Sequence, residues 1–227
     1  MKVLVVYAHH EPSSLTAAMK NLVYETLVRQ KHEVEVTDLY GLGFNPVAQK
    51  WDFVTTSGSG HFNYMLEQQH AAKLDLAYSP DIVAEIQKVK AADILICVAP
   101  MWWLSVPAIL KGWFERVMAM GVAWNTGKIF ETGLLRGKQA LLVMSAGGPA
   151  EYFAPTGQYK ATPTQLLHPI NQGIFAFCGM DVHEPFVALN TLGMNQQSRE
   201  KVLADLQFKI SHLQDSPNWL IRYPGRD

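Results

Sequence analysis

The sequence predicts an α/β fold in which helices flank a parallel sheet of five strands. Five short, mostly apolar runs have strand length and lie between segments with helical spacing, at 3–7, 33–39, 94–98, 139–145 and 181–189. The first, third and fourth runs are almost continuously apolar, which is typical of strands covered on both faces. Because the chain opens strand–helix–strand, parallel pairing is favoured, and the expected order of a doubly wound sheet is 2-1-3-4-5.

Caps and prolines mark where the predicted helices begin. Apolar residues at helical spacing follow a cap at Ser13 or Ser14, and Ser79-Pro80 starts a second helix. A third helix, after the central strand, is predicted to begin near Ser105. Later helices are predicted over 164–178 and 202–213.

The stretch 40–79 interrupts this alternation. Structureless connections of this length are uncommon in compact domains, and its aromatic residues argue against disorder. We therefore expect an ordered excursion with a short helix near 64–73, packed on the domain or on a second subunit. Residues 1–213 are predicted to form one domain, and 214–227, rich in Pro, Trp and Arg, a C-terminal arm.

The composition is that of a globular protein. Of 227 residues, 48% are hydrophobic and 17% are charged. The net charge of −1 shows no excess of positive charge that would favour binding to nucleic acid or to an anionic membrane. No apolar run approaches the roughly 20 residues that a membrane helix needs, and no signal peptide is evident. Cys97 and Cys178 lie in apolar surroundings, as buried thiols of a cytoplasmic protein do.

Candidate ligand loops follow the strands beside the switch point of the sheet. The order 2-1-3-4-5 is flavodoxin-like, and such sheets bind ligands beyond the carboxyl ends of their strands. The loops expected there are 9–16, 100–106 and 146–159.

The first of these loops holds His9, His10, Ser14 and Thr16 at a helix amino terminus, where backbone amides and the helix dipole favour an anion. An ordinary helix cap is the alternative interpretation. The chain has neither G-x-G-x-x-G nor a P-loop pattern. No other ligand residues at metal-site spacing accompany the histidines, so no metal is expected.

The second loop is aromatic, with Trp102 and Trp103 between Pro100 and Pro107. Adjacent tryptophans cannot both face one core, so a platform for a planar ligand such as a flavin is favoured over a place in the core. In the third loop, Gly147-Gly148 would allow close backbone approach to a ligand.

The third loop continues with Tyr152 and Tyr159. A phenol stays protonated at neutral pH, so either tyrosine could donate a hydrogen bond to a developing negative charge. Two ordinary surface tyrosines are the alternative.

Several motifs occur in one order along the chain. The most specific stretch, from Ser79 to Val117, contains PMWWLSVPAILKGWFERV. The supporting motifs are YAHHEPSSLTAAMK at 7–20, DLYGLGFNP at 38–46, MSAGGP at 144–149 and CGMDVHEP at 178–185. Together, over most of residues 1–210, they resemble the NAD(P)H:quinone oxidoreductase family of DT-diaphorase-like flavoproteins, which includes bacterial ancillary oxidoreductases of potassium-efflux systems.

This resemblance implies a cytoplasmic homodimer that holds a flavin tightly. NADH or NADPH would deliver a hydride to the flavin, and a quinone would then take two electrons in the same pocket. The length of 40–79 matches the FAD-binding members, so FAD is favoured over FMN. The alternative is a flavin-bearing regulatory subunit that docks on a cation-efflux transporter, and a one-electron carrier like flavodoxin is a third reading.

The resemblance also implies roles for individual residues. The diphosphate and ribityl end would be held by His9, Ser14, Leu15 and Thr16. The flavin ring would be lined by Pro100, Met101, Trp102, Trp103, Leu104, Ser145, Ala146, Gly147, Gly148 and Tyr152. Arg199 would lie near the adenine end, and Asn63 would come from the partner subunit. The substrate would contact Trp124, Asn125, Thr126 and Phe153.

The chain departs from the family pattern in three places. Phe153 stands at the family's tyrosine position, beside Tyr152, and Tyr159 stands at its histidine position. Trp102 replaces a polar residue of the aromatic loop. Histidine becomes a cation near neutral pH and tyrosine does not. Charge stabilisation during hydride transfer is therefore expected to be weaker, to be supplied by other groups, or to pass to Tyr152 and Tyr159 as neutral donors, and these two tyrosines are the candidate catalytic residues.

Overall fold

A parallel sheet forms the centre of the computed structural model, which describes residues 1–58 and 60–213. Its first four strands are β1 (Lys2–Tyr7), β2 (Glu33–Asp38), β3 (Ile94–Pro100) and β4 (Gln139–Ser145). The fifth position is shared by β5 (Asp181–Val182) and β6 (Phe186–Ala188), which both pair parallel with β4. The strand order is 2-1-3-4-5, with β6 beside β4, so the predicted fold class and order are confirmed.

The fifth strand differs from the continuous run predicted over 181–189. β5 pairs with the start of β4 and β6 with its end, and the chain leaves the ladder between them. Pro185 lies in this break, where it has no N–H to donate to a neighbouring strand. His183, also in the break, is buried with its Nε2 3.0 Å from Gln139 Oε1.

Helices cover both faces of the sheet. They are α1 (Leu15–Arg29), α2 (Tyr64–Lys73), α3 (Pro80–Ala91), α4 (Ala108–Val117), α5 (Pro163–Leu166), α6 (His168–Ile170) and α7 (Gln196–Ser211). One face packs α1 and α7 in a single apolar cluster, and the other packs α3 and α4. None of the helices in the described ranges is long and apolar enough to cross a membrane.

Local sequence accounts for most helix boundaries. Ser14 caps α1 by accepting a hydrogen bond from the amide of Ala17 at 3.1 Å, as predicted. α4 begins at Ala108, after Pro107, so it starts three residues later than the prediction near Ser105. The helix predicted over 164–178 is broken into α5, α6 and a π-helical turn, Asn171–Ala176.

The two cysteines are free and buried, as expected. Burial raises the pKa of the Cys97 thiol and raises that of Cys178 to about 12, so both remain protonated at neutral pH. The predicted C-terminal arm, 214–227, lies outside the described residues.

The described residues of the excursion 40–79 form ordered structure and include α2 at the predicted position. A buried ion pair fastens it to α4: Arg116 donates to Asp52 from Nε at 3.1 Å and from Nη2 at 2.8 Å. The Tyr64 hydroxyl donates to the same carboxylate at 2.6 Å. Arg116 Nη1 also donates to Asp81 on α3 at 2.9 Å and to the carbonyl of Asn45 at 2.8 Å. One guanidinium therefore joins the excursion, α3 and α4.

A second buried acid, Glu85 of α3, is paired in the same layer. It accepts from Trp113 Nε1 of α4 at 2.9 Å and from Lys88 Nζ at 2.7 Å, while Thr37 of β2 donates at 3.1 Å. Buried carboxylates are tolerated when their hydrogen bonds are satisfied. The packing of α3 and α4 on the sheet is thus fixed by polar contacts as well as by the apolar core.

We predict that Asp52→Asn lowers the free energy of unfolding by about 3–5 kcal/mol, because it leaves part of a buried charge unpaired. Asp205→Asn is the matched control, since Asp205 pairs with Lys201 on the exposed side of α7 and such pairs contribute less than about 1 kcal/mol. Urea denaturation of both variants measures the difference. Equal losses for the two would contradict a structural role for the buried pair.

Candidate active site

The first loop places a neutral histidine at the start of α1. His9 Nδ1 accepts a hydrogen bond from the amide of Glu11 at 3.0 Å, which leaves the proton on Nε2. Burial, and then the neighbouring His10, lower the pKa of His9 below its ordinary value. Near neutral pH the His9 ring is therefore an uncharged N–H donor beside the amino terminus of a long helix.

The two histidines form a stack that meets the aromatic loop. The rings of His9 and His10 are nearly parallel, with centroids 4.9 Å apart. Trp102 is tilted against both, at 6.3 Å from each centroid, and Tyr40 packs against His10 at 5.8 Å. Trp102 thus joins the first and second loops through ring contacts, whereas Trp103 points elsewhere.

A tight turn presents Trp103 to solvent. Trp102 and Ser105 exchange two backbone hydrogen bonds of 3.0 Å, and the two residues between them, Trp103 and Leu104, have φ of 51° and 58°. Left-handed backbone costs an ordinary residue about 1 kcal/mol or more, and this type of turn usually contains Asn or Gly. The Trp103 side chain is 100% exposed. A strained turn that holds a fully exposed tryptophan is consistent with a binding surface.

Buried hydroxyls join the three loops at their bases. Thr16 Oγ1 and Ser145 Oγ are 2.7 Å apart, which ties the start of α1 to the end of β4. The Ser145 carbonyl accepts from the amide of Met101 at 2.7 Å, which ties β4 to the aromatic loop. The loops after β1, β3 and β4 therefore form one surface at the carboxyl edge of the sheet, as predicted.

The double glycine lies under an aromatic cluster. A Cβ added at Gly148 would lie 3.1 Å from Phe153 and 3.6 Å from the Tyr159 hydroxyl. The Tyr159 ring packs edge-on against Tyr152 at 5.9 Å and against Phe153 at 4.9 Å. The loop closes on itself because the amide of Tyr159 donates to the carbonyl of Tyr152 at 3.0 Å. Tyr159 therefore faces the backbone of the double glycine.

Gly157 allows this closure. A Cβ at that position would lie 2.1 Å from the carbonyl oxygen of Glu151, so only glycine fits there. Sequence alone does not reveal this requirement for Gly157, because the contact that demands a glycine exists only after the loop has folded back.

A fourth loop, which the sequence analysis did not include, borders the same surface. It runs from Leu189 to Asn195, and a Cβ added at Gly147 would lie 3.0 Å from Cδ1 of its Leu192. Asn195 caps α7 by accepting from the amide of Ser198 at 2.8 Å, and Arg199 follows in the first turn of that helix. The signal that would have found this loop is its position, since it follows the fifth strand at the carboxyl edge of the sheet.

A second group of predicted site residues lies together at a different place in the structure. Asn63 caps α2, and Gln69 of α2 donates to Asn125 at 2.6 Å. Trp124 packs on Phe177 with ring centroids 5.3 Å apart. Two adjacent grooves, of about 230 and 450 Å³, share lining residues Phe114, Glu115, Met118 and Trp124. None of the described residues of the loops after β1, β3 and β4 lines either groove.

Within one chain, the fold therefore leaves four predicted site residues apart from the others: Asn63, Trp124, Asn125 and Thr126. The described ranges contain no group of three or more His, Cys, Asp or Glu residues placed to hold a metal. The surface at the sheet edge instead combines four features. They are an aromatic wall that includes the exposed Trp103, a glycine cradle formed by Gly147 and Gly148, the neutral N–H donor of His9, and the amino terminus of α1. That set suits a planar ligand with an anionic end.

Comparison with known proteins relates the chain to one family. Residues 1–210 match the model of a family described as having a flavodoxin-like fold. Ribosyldihydronicotinamide dehydrogenase (quinone) of Homo sapiens is 38% identical over 204 residues, which cover 89% of this chain and 87% of the relative. NAD(P)H dehydrogenase (quinone) 1 of Rattus norvegicus is 39% identical over 185 residues, covering 81% of this chain and 67% of the relative.

A solved structure is similar in backbone as well. A Klebsiella pneumoniae protein described as a quinone reductase has a TM-score of 0.90 to this chain at 33% identity, and the match covers 95% of this chain and 86% of the other. The likeness in backbone thus extends over nearly the whole length of both chains.

Proposed function

This chain belongs to the flavodoxin-like family that includes the NAD(P)H dehydrogenases (quinone), and from that premise we propose how it works. Its activity is that of an NAD(P)H-dependent quinone oxidoreductase. We further propose that the bound flavin is FAD, that electrons move in pairs, and that the active unit is a homodimer. We place it in the cytoplasm, where the two free thiols would stay reduced.

Three loops that meet at one edge of the sheet carry this proposal. Ser145 bonds both Thr16 and Met101, so the helix start, the aromatic wall and the glycine cradle are held in one surface. Ligands of doubly wound sheets bind at this edge. A flavin fits the donor set because its ring is planar and its side chain carries phosphate.

Roles for individual residues follow from their positions. The amino terminus of α1 and the neutral His9 N–H would bind the diphosphate, because both donate hydrogen bonds and the helix dipole favours an anion there. Trp103 and Leu104 would cover the flavin ring from one loop. Gly147 and Gly148 would let the backbone approach its edge closely.

A bound flavin supplies the redox chemistry, accepting a hydride from the nicotinamide and passing two electrons to the quinone. The chain's own contribution is to orient the ring and to stabilise charge at its edge. Tyr159 suits this second task because its hydroxyl faces the Gly148 backbone and can donate a hydrogen bond. Preorganised donors of this kind lower barriers by meeting charge as it develops.

The homodimer would complete the site. The grooves around Phe114, Met118 and Trp124 are apolar, and Met65 at their rim is 52% exposed. We propose that this face packs on a second copy of the chain. The grooves and Asn63 of the partner subunit would then border the flavin, which accounts for the separation of the two groups of residues in one chain.

The proposal predicts that the purified protein is yellow. Heat denaturation followed by chromatography should release FAD rather than FMN. Anaerobic mixing with NADH or NADPH should bleach the flavin, and added quinone should restore its absorbance. A colourless protein, or a flavin that stays oxidised with both donors, would refute the proposed function.

We predict that Tyr159→Phe slows flavin reduction by about tenfold or more. The effect should be smaller than the ~10²–10³ lost when a buried oxyanion donor is removed, since Tyr159 is 36% exposed. Flavin affinity should change little, because only one hydroxyl is removed. Tyr24→Phe, at an exposed tyrosine of α1, is the matched control. Stopped-flow rates equal to wild type would remove Tyr159 from the mechanism.

Met65→Glu should weaken the dimer, because it places a charge in the proposed apolar interface. Sedimentation velocity should show monomers and a loss of bound flavin. Val28→Glu, an exposed position on α1 at the other face of the sheet, should leave the dimer intact. A wild-type monomer, or a Met65→Glu dimer of unchanged affinity, would count against the interface.

A further inference from the structure

The loop of residues 119–126, which carries Trp124, is fixed at its start by α2 of the excursion. Gln68 of α2 is buried, and its Nε2 donates to the carbonyl of Glu115, near the end of α4, at 2.9 Å. Its Oε1 accepts a hydrogen bond from the amide of Met120 at 3.3 Å. One side chain thus uses its donor and its acceptor to join the end of α4 to the start of the loop.

The middle of the loop lies directly against α2. Gly121 has a φ of 88°, and a Cβ at this position would lie 2.8 Å from the Cβ of Ala72 and 3.3 Å from the Cα of Gln69. A larger residue would therefore be strained in conformation and crowded by the helix. The Gly121 amide donates to the carbonyl of Trp124 at 2.7 Å. The backbone at Trp124 is thereby bonded to a residue that packs on α2.

A side-chain hydrogen bond holds the end of the loop. Gln69 Nε2 donates to Asn125 Oδ1 at 2.6 Å, and the same oxygen accepts from the amide of Thr126 at 2.9 Å. Asn125 and Lys128 exchange two backbone hydrogen bonds, of 3.1 and 2.8 Å, which close the turn that follows. Because Asn125 is the next residue after Trp124, the bond from Gln69 fixes the backbone on which the tryptophan stands.

Trp124 borders both apolar grooves, which have volumes of about 230 and 450 Å³. Its ring packs edge-on against Phe177 at 5.3 Å, and Phe177 packs against Phe130 at 5.5 Å. Apolar contacts have little directional preference, whereas a hydrogen bond weakens steeply away from its preferred angle. The bond from Gln69 to Asn125 therefore supplies a directional contact that determines where Trp124 stands between the grooves.

We infer that Gln69 is a positioning residue that selects quinones by ring size, an inference that rests on the proposed function. Gln69 is not among the described residues that line either groove, so it acts through Asn125 on Trp124. A quinone presents flat rings to the groove, and the position of Trp124 sets the width left for them. Quinones with two fused rings fill more of this space than quinones with one, and they depend more on that width.

Reoxidation of the flavin by quinones tests the inference without the nicotinamide. Holoprotein reduced anaerobically with dithionite is mixed in a stopped-flow instrument with menadione, which has two rings, or with 1,4-benzoquinone, which has one. Gln69→Leu should raise the half-saturating concentration of menadione by about three- to tenfold, the range expected for one neutral hydrogen bond. The value for benzoquinone and the limiting rates should stay near those of wild type.

Variants of Asn125 separate the hydrogen bond from other effects of replacing Gln69. Asn125→Leu removes the accepting oxygen and should raise the menadione value as Gln69→Leu does. Asn125→Asp retains an accepting oxygen and should raise it less. Combining Gln69→Leu with Asn125→Leu should add little to either single change, because both remove the same bond. The Asn125 variants also keep the inference testable if Gln69→Leu does not fold.

Gln30→Leu is the matched control. Gln30 also donates one hydrogen bond, to the carbonyl of Ser211 at 2.8 Å, and it lies between α1 and β2 at the amino edge of the sheet. Its half-saturating concentrations should match wild type.

Three results would overturn the inference and leave the proposed function intact. They are wild-type menadione values in Gln69→Leu and Asn125→Leu, an equal rise for the two quinones, and a change confined to the limiting rates. Additive losses in the double variant would also count against a route through this bond. A wild-type protein without flavin, or a reduced flavin that neither quinone reoxidises, would overturn the proposed function itself.

Discussion

The ion pair between Arg116 and Asp52 is the contact on which the arrangement of the excursion depends. Both groups are buried, so neither can be exposed or left alone without a large cost. One helical turn earlier, Trp113 holds the buried Glu85 of α3. Phe114 of α4 and Met118, which follows the helix, line the grooves. A single helix therefore joins two neighbouring elements through buried polar contacts and also borders the apolar grooves.

Much of the fold was predictable because it depends on local periodicity. The buried strands and α2 follow from patterns that lie within one segment, and the cap at Ser14 is a local rule. The break between β5 and β6 and the π-helical turn were not predicted. Both depend on how a segment fits against its neighbours, although Pro185 in the first case was a visible sign.

The candidate site was predicted in outline and missed in detail. The loops after β1, β3 and β4 were identified because topology alone determines where they meet. The left-handed turn at Trp103 and the closure around Gly157 were not, since each requires distances between atoms that no spacing encodes. The loop from Leu189 to Asn195 was missed for a simpler reason. The rule that identifies the first three loops was not extended to the loop after the fifth strand.

The break in the fifth strand affects how copies of the chain can associate. An exposed edge strand offers a row of unpaired N–H and C=O groups to which another chain can add, which is a common start of aggregation. Here that edge consists of two pieces of two and three residues, separated by a stretch that includes a proline. Neither piece is long enough to template an added strand. The break therefore disfavours pairing between chains at this edge of the sheet, where a continuous fifth strand would have offered a longer template.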